Sequence, residues 1–251
     1  MKIESIQDAR SKYSYPPAHV LNNGESLQFD TLKFVRPGHT ETMTSSMKLD
    51  EYHRKLLDSK SHEDIRLGIA SVQYWGRAFV KGRSNHNQAA TRVGWLFHGN
   101  RRSSKTFFNE VSVNAVKSAI NHANSGNYDD AYWSIREVPH FGVSFGSKLL
   151  AFCNPENIGI YDSHISRYVS EKSEFIRSTF KIHDSLEDFT LKYPTRFSKQ
   201  DAPRFGNYCE MLSLIAKKMN QEGLKWRDWD NSERNWRAVD AERALFVLAQ
   251  S

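Results

Sequence analysis

Lys148 follows Gly146 by two positions and precedes Asp162 by fourteen, in the stretch VPHFGVSFGSKLLAFCNPENIGIYDSHISRYV from Val138 to Val169. A lysine amine, once neutral, is a nucleophile that forms a Schiff base with a carbonyl-like carbon. A carboxylate fixed beside a reacting centre stabilises a developing cation. Asp162 stands just before the amphipathic run Ser163, His164, Ile165 and Arg167, the place of a helix N-cap. Gly142 and Gly146 allow positive backbone torsions and close approach of another backbone. The free amides of such a turn, and of the helix start after it, form an anion site suited to a phosphate. Each feature also has a plain structural reading: a solvated lysine, a cap, a helix–helix connection.

The elements that must hold these groups read as helical. One helix ends near Val138. The spacing predicts a second from about Ser147, carrying Leu149, Leu150 and Phe152, with Lys148 in its first turn. Ile65, Ile69, Val72, Trp75 and Phe79 recur at intervals of three and four and share one face. Val113, Val116 and Ile120 repeat the pattern, as do Phe205, Tyr208, Leu212, Ile215 and Met219. A last helix from about Asp240 carries Ala241, Leu245 and Leu248. Turn residues separate these segments at Asn100–Ser104, Asn124–Asn127 and Gly223. An all-helical array follows, its stripes buried against one another. The first 48 residues differ: Pro16, Pro17, Pro37 and Gly38 flank an alternating stretch at Leu27–Val35 that reads as a strand or hairpin. Residues 1–48 are therefore expected to form an N-terminal extension and 49–251 the helical domain.

Composition sets the outer limits. Of 251 residues 39% are hydrophobic, which argues against wholesale disorder. Lys and Arg exceed Asp and Glu by 35 to 29, and the net charge of +6 suits a polyanionic partner. Cys153 and Cys209 lie in apolar helical patterns and read as buried thiols; two thiols alone cannot supply a four-cysteine zinc or iron–sulfur site. No apolar run approaches the ~20 residues that span a membrane, and Met1 to Ser14 lacks an apolar signal core. The expected setting is a bacterial cytoplasm, in association with the nucleoid, or a nucleus.

On these residues the stretch resembles the helix-hairpin-helix DNA glycosylase superfamily. There a hairpin of the type Pro-Gly-Val-Gly-x-Lys leads to a Val-Asp-x-His motif. Gly146-Ser147-Lys148 matches the first part and Tyr161-Asp162-Ser163-His164 the second. Ser144 stands where a glycine is usual, and the Lys–Asp interval is shorter than in the best-known members. The four-cysteine cluster of endonuclease-III-like members is absent, so no iron–sulfur centre, other metal or cofactor is expected. Two outer stretches are similar to the 8-oxoguanine glycosylase branch. Ser84-Asn85-His86-Asn87-Gln88, followed by Thr91, Arg92, Val93 and Gly94, resembles its asparagine-rich loop; Glu242-Arg243-Ala244-Leu245-Phe246 resembles the helix that lines its base pocket.

The resemblance implies a mainly α, helix-hairpin-helix glycosylase fold of two helical subdomains with a DNA-binding groove between them. It implies a monomer that flips a base out of double-stranded DNA, excises it and cleaves the abasic site, in base excision repair of DNA damage. Lys148 would be the nucleophile and Asp162 the catalytic carboxylate. Gly142, Gly146, Ser147, His164 and Arg167 would grip phosphates, and Asn85, His86 and Asn87 would fill the hole in the duplex. Phe152, Glu242 and Phe246 would line the base pocket. An oxidised guanine is the favoured base. A carboxylate at Glu242 only accepts hydrogen bonds, from N1 and N2 of a guanine or from the amino group of a modified cytosine. Removal of modified bases from phage DNA in defence therefore stays open. So do a non-catalytic helix-hairpin-helix DNA-binding module and a helical protein that contacts other proteins.

Overall fold

The computed structural model describes residues 3–15, 17–36, 43–80, 83–99, 108–183, 186, 188–190 and 197–250; Pro16, Pro37, Gly38 and the expected turn at Asn100–Ser104 lie outside the described residues. The chain is mainly α, with small antiparallel ribbons. Helix α1 (Ile3–Ser11) leads into a hairpin of β1 (His19–Asn22) and β2 (Leu32–Val35), paired His19 to Val35 and Asn22 to Leu32. The alternating stretch thus supplies β2, and its partner strand lies upstream. Helices α2 (Ser46–Leu57) and α3 (His62–Ala78) follow. Each begins at a serine whose side chain accepts an N3 amide: Ser45 from Lys48, Ser61 from Asp64. Phe79, expected on the α3 stripe, instead opens the two-residue ribbon β3 (Phe79–Val80) with β4 (Arg83–Ser84), which turns the chain into α4 (His86–His98).

The second half runs α5 (Glu110–Asn124), α6 (Tyr128–Ser134), α7 (Val143–Cys153), α8 (Ser163–Glu171), α9 (Ser173–Phe180) and α10 (Ala202–Gln221). A ribbon of β5 (Trp226–Arg227) and β6 (Glu233–Arg234) precedes α11 (Ala238–Leu248). Gly126 and Gly223 take the left-handed torsions that end α5 and α10, as expected of turn positions. Among the described residues no helix is long and apolar enough to cross a membrane.

The expected stripes are buried: Ile65, Ile69, Val72 and Trp75 on α3, Val113, Val116 and Ile120 on α5, and Phe205, Tyr208, Leu212, Ile215 and Met219 on α10. Cys153 and Cys209 are buried free thiols. The core is one continuous cluster, and Ile6, Ala9, Ala18, Val20, Leu27 and Leu32 from the first 48 residues belong to it. Helix α1 packs along α11, and β1 lies on α3, where the Val20 amide donates to the Ser71 hydroxyl. A buried charge network locks the chain's two ends together. Arg10 donates to Asp240 (2.9 Å) and Ser46 (2.8 Å), Arg237 to Asp50 (2.7 Å) and Asp240 (2.8 Å), and Arg243 to Asp50. A single such charge left alone in the core would be very costly, and the alternation of signs offsets that cost.

Candidate active site

Helix α7 begins at Val143, four residues before the expected start, so Lys148 is its sixth residue and not in its first turn. The connection into α7 is also made differently. Gly142 is the N-cap, with φ −87°, and Gly146 lies inside the helix; the positive torsion in this turn belongs to His140 at φ 62°. Gly146 is glycine for packing: a Cβ there would stand 2.5 Å from the Phe197 ring and 2.8 Å from Ile135. It therefore faces protein and not a phosphate, which corrects its expected role. Gly142 remains half-buried at the helix start, where the outward amides of Val143 and Ser144 lack a helical acceptor.

Helical side chains lean toward the N-terminus, so Lys148 still reaches the first turn of α7. Its Nζ donates to the Ser144 hydroxyl at 2.8 Å. The side chain is 8% exposed and lies over the Phe145 ring, 5.3 Å from its centroid. Burial lowers the Lys148 amine's pKa, and the guanidinium of Arg77 lowers it further, against the opposing pull of Asp162 and Glu242. Arg77 itself stacks on the same Phe145 ring at 4.7 Å.

Asp162 is the N-cap of α8, and its Oδ1 accepts the amides of His164 (2.9 Å) and Ile165 (3.0 Å). The residues beside the two candidate groups are tied to each other. The Tyr161 amide donates to Ser147 Oγ at 2.9 Å, and that hydroxyl has the Tyr161 and Ser144 carbonyls within reach at 3.2 and 3.1 Å. Ser147 is 1% exposed, so it is no phosphate ligand; it is the clamp that fixes α7 against the start of α8. Tyr208 on α10 reinforces it by donating to the Ile160 carbonyl at 2.7 Å.

Helix α11 presents Glu242 and Phe246, one turn apart, to this place. Phe246 meets the His164 ring edge-on at 6.1 Å. Glu242 is buried, and burial with the neighbouring Asp162 pushes its carboxyl up to about 8, against Arg243, Lys148 and the Ile160 amide. This shift favours the protonated acid over the accepting carboxylate that the resemblance implies. Phe152 is turned into the core, 2% exposed, stacked on His53 at 4.2 Å and edge-on to Trp75 at 5.0 Å.

Sequence reading missed Tyr13 and Tyr15, because they fall in the stretch read as an extension. Tyr13 meets Phe246 at 6.3 Å and Tyr15 at 6.4 Å, and Tyr15 packs on Trp75 at 4.8 Å. Asp162 adds to burial in raising the Tyr15 phenol, which places the two near each other. Two aromatics spaced i, i+2 after an amphipathic helix were the available signal. Arg77, on the polar edge of an otherwise apolar stripe, left none.

The outer expected groups are on the surface. His164 and Arg167 are exposed on one face of α8. Asn85 is the N-cap of α4 without a side-chain cap bond, its amide donating instead to Gln88 Oε1, His86 accepts or donates to the Tyr74 hydroxyl at 2.8 Å, and Asn87 is exposed. Helix α4 meets the turn before α7 through Trp95, 5.7 Å from His140, with Arg92 stacked on Trp95 at 4.0 Å. A shallow charged depression lined by Glu51, Arg54, Lys55 and Asp58 lies on α2 and shares no lining residue with these groups. Comparison of the chain with protein-family models, curated proteins and solved structures returns no match.

Proposed function

We propose that this chain is a DNA glycosylase with abasic-site lyase activity, built on a helix-hairpin-helix glycosylase fold and acting on double-stranded DNA as a monomer. The observation that carries the reading is the state of Lys148. Its amine is buried, rests on a neutral hydroxyl, and has no carboxylate in salt-bridge contact among the described residues, yet it feels the charge of Asp162. A lysine held this way is poorer as a surface charge and better as a nucleophile.

The sugar carbon to be attacked is hidden in a stacked duplex, so the nucleotide must first be extruded, at a cost of a few kcal/mol. The exposed Asn87 at the start of α4 fills the hole, and His164 and Arg167 hold phosphates on the other side. As the bond from sugar to base breaks, the base leaves with the electron pair and takes up a proton. Asp162 faces the positive sugar and stabilises it. Lys148 Nζ forms the new bond to the same carbon and gives up a proton. Ring opening yields the Schiff base, and elimination then breaks the sugar–phosphate bond on the 3′ side.

A panel of duplexes, each with one altered base, together with an abasic duplex, tests this. The expected result is cutting of the abasic duplex and of at least one altered duplex, oxidised guanine first. An intact abasic duplex would overturn the lyase, and an intact panel the glycosylase.

A further inference from the structure

The β1–β2 hairpin carries no group of the candidate active site, yet it reaches the start of α4, where Asn87 is exposed. Phe34 on β2 packs on Tyr74 of α3 at 5.0 Å and edge-on to His86, the first residue of α4, at 6.0 Å. Phe29, in the turn before β2, lies farther along α4, 6.1 Å from Phe97. Arg36 follows β2 and continues its alternation, so it falls on the face that Phe34 presents to α3 and α4. Burial raises the Tyr74 phenol and lowers the His86 imidazole, and the charge of Arg36 lowers both, which sets the guanidinium beside them. Arg36 is exposed, and the hairpin's exposed acids, Glu25 and Asp30, lie at its other end. Helix α3 runs between this edge and the lysine. Tyr74 turns toward Phe34, whereas Gly76, two residues on and so on the opposite side of the helix, faces the other way. A Cβ at Gly76 would stand 2.7 Å from the Phe145 ring and 3.1 Å from Lys148 Cδ. A helix with its side chains is about 10–12 Å across, of the order of a groove's width in duplex DNA. The start of α4 is held at the end of α3 between the two sides, by the Asn85 amide on the Ala78 carbonyl at 2.8 Å.

We propose that the hairpin edge at Arg36 grips a backbone phosphate of the DNA strand opposite the extruded nucleotide, so that the two DNA strands straddle the end of α3, one facing Lys148 and the other facing Arg36. This rests on the reading of the site as one that excises bases from a duplex. The occupant follows from charge: an exposed guanidinium with the hairpin's acids turned away suits a polyanion, and its two parallel N–H groups match a phosphate. A contact of this kind fixes the register and orientation of the duplex without reading its sequence. It also braces the second DNA strand while Asn87, beside His86, enters the hole left in the first.

Binding to a duplex that carries a tetrahydrofuran abasic analogue, which cannot form a Schiff base, tests it over a series of salt concentrations. R36E binds about tenfold or more weakly than the wild type, and R36A has a salt slope lower by about one, the mark of one lost phosphate contact. Both keep the wild-type melting temperature, because the side chain is exposed. K217E, the same change of charge at an exposed position on α10, stays within about twofold of the wild type, since a charge remote from the contact is screened. A single neutral methylphosphonate linkage, moved along each DNA strand in turn, then locates the contact. At one position opposite the analogue it weakens the wild type and costs R36A nothing more, and no position in the strand carrying the analogue behaves so. The inference is overturned by wild-type affinity in R36E, by an equal loss in K217E, or by a methylphosphonate scan in which the position silent in R36A is missing or lies in the strand carrying the analogue. Cutting of a natural abasic duplex by the wild type is read separately. With that cutting intact, those results sink this inference alone; its absence sinks the glycosylase reading and this inference together.

Discussion

At the scale of single residues, the proposed function gives Asp162 two jobs that one substitution separates. As a cap it accepts the amides of His164 and Ile165, and asparagine does this about as well. As the proposed catalytic carboxylate it would face the sugar cation, and asparagine cannot replace that charge. Asp162→Asn is expected to keep its melting temperature and DNA affinity and to lose excision about a hundred- to a thousandfold, the usual range for removing one preorganised stabilising group. Single-turnover excision beside a melting curve checks this; retained excision would leave Asp162 a cap only. The sequence indicated Lys148 and Asp162 because glycine, lysine and a capping aspartate leave a linear trace. It gave no sign of Glu242's burial, to which Gly159, Tyr208 and Tyr13 contribute from three distant parts of the chain.

At the scale of elements, what matters is how α7 and α8 are held in register. Ser147 and Tyr161 exchange hydrogen bonds at the positions next to Lys148 and Asp162. Ser147→Ala strands the buried Tyr161 amide, which costs about 1–3 kcal/mol. On the proposed function it also loosens the spacing of Lys148 and Asp162, and small misplacements at a reacting centre are costly. The expected outcome is a modest fall in melting temperature with a fall in excision of about tenfold or more, while Ser147→Thr, which keeps the hydroxyl, loses less of both. Excision equal to wild type in Ser147→Ala would show that the clamp is not needed. Helical stripes told where α3, α5 and α10 lie, because apolar spacing is a local signal. They misjudged the start of α7 because Val143 to Phe145 reads as turn when Ser144 and Gly146 are weighed by propensity. The packing of Phe145 and Gly146 against α3, Ile135 and Phe197 overrides that propensity.

At the scale of the whole molecule, the chain's two ends meet at the site. Arg10 from α1 is bound to Asp240 of the last helix, and Asp50 from α2 to Arg243 of that helix and to its N-cap Arg237, so the helix carrying Glu242 and Phe246 is fixed by residues more than 180 positions away. Such pairing is invisible in a sequence read alone, since each arginine looks like a surface charge. For the same reason the first 48 residues looked separable although they share the core and bring Tyr13 to the site.

On the proposed function, the assembly presents the Lys148 amine, its pKa lowered by burial, to a sugar carbon. Borohydride trapping on an abasic duplex tests it most directly, because reduction freezes the Schiff base at the nitrogen that made it. The expected result is a covalent protein–DNA adduct in the wild type, mapped by peptide mass to Lys148, and none in a folded Lys148→Ala. An adduct of equal yield in Lys148→Ala, or no adduct in the wild type, would contradict it.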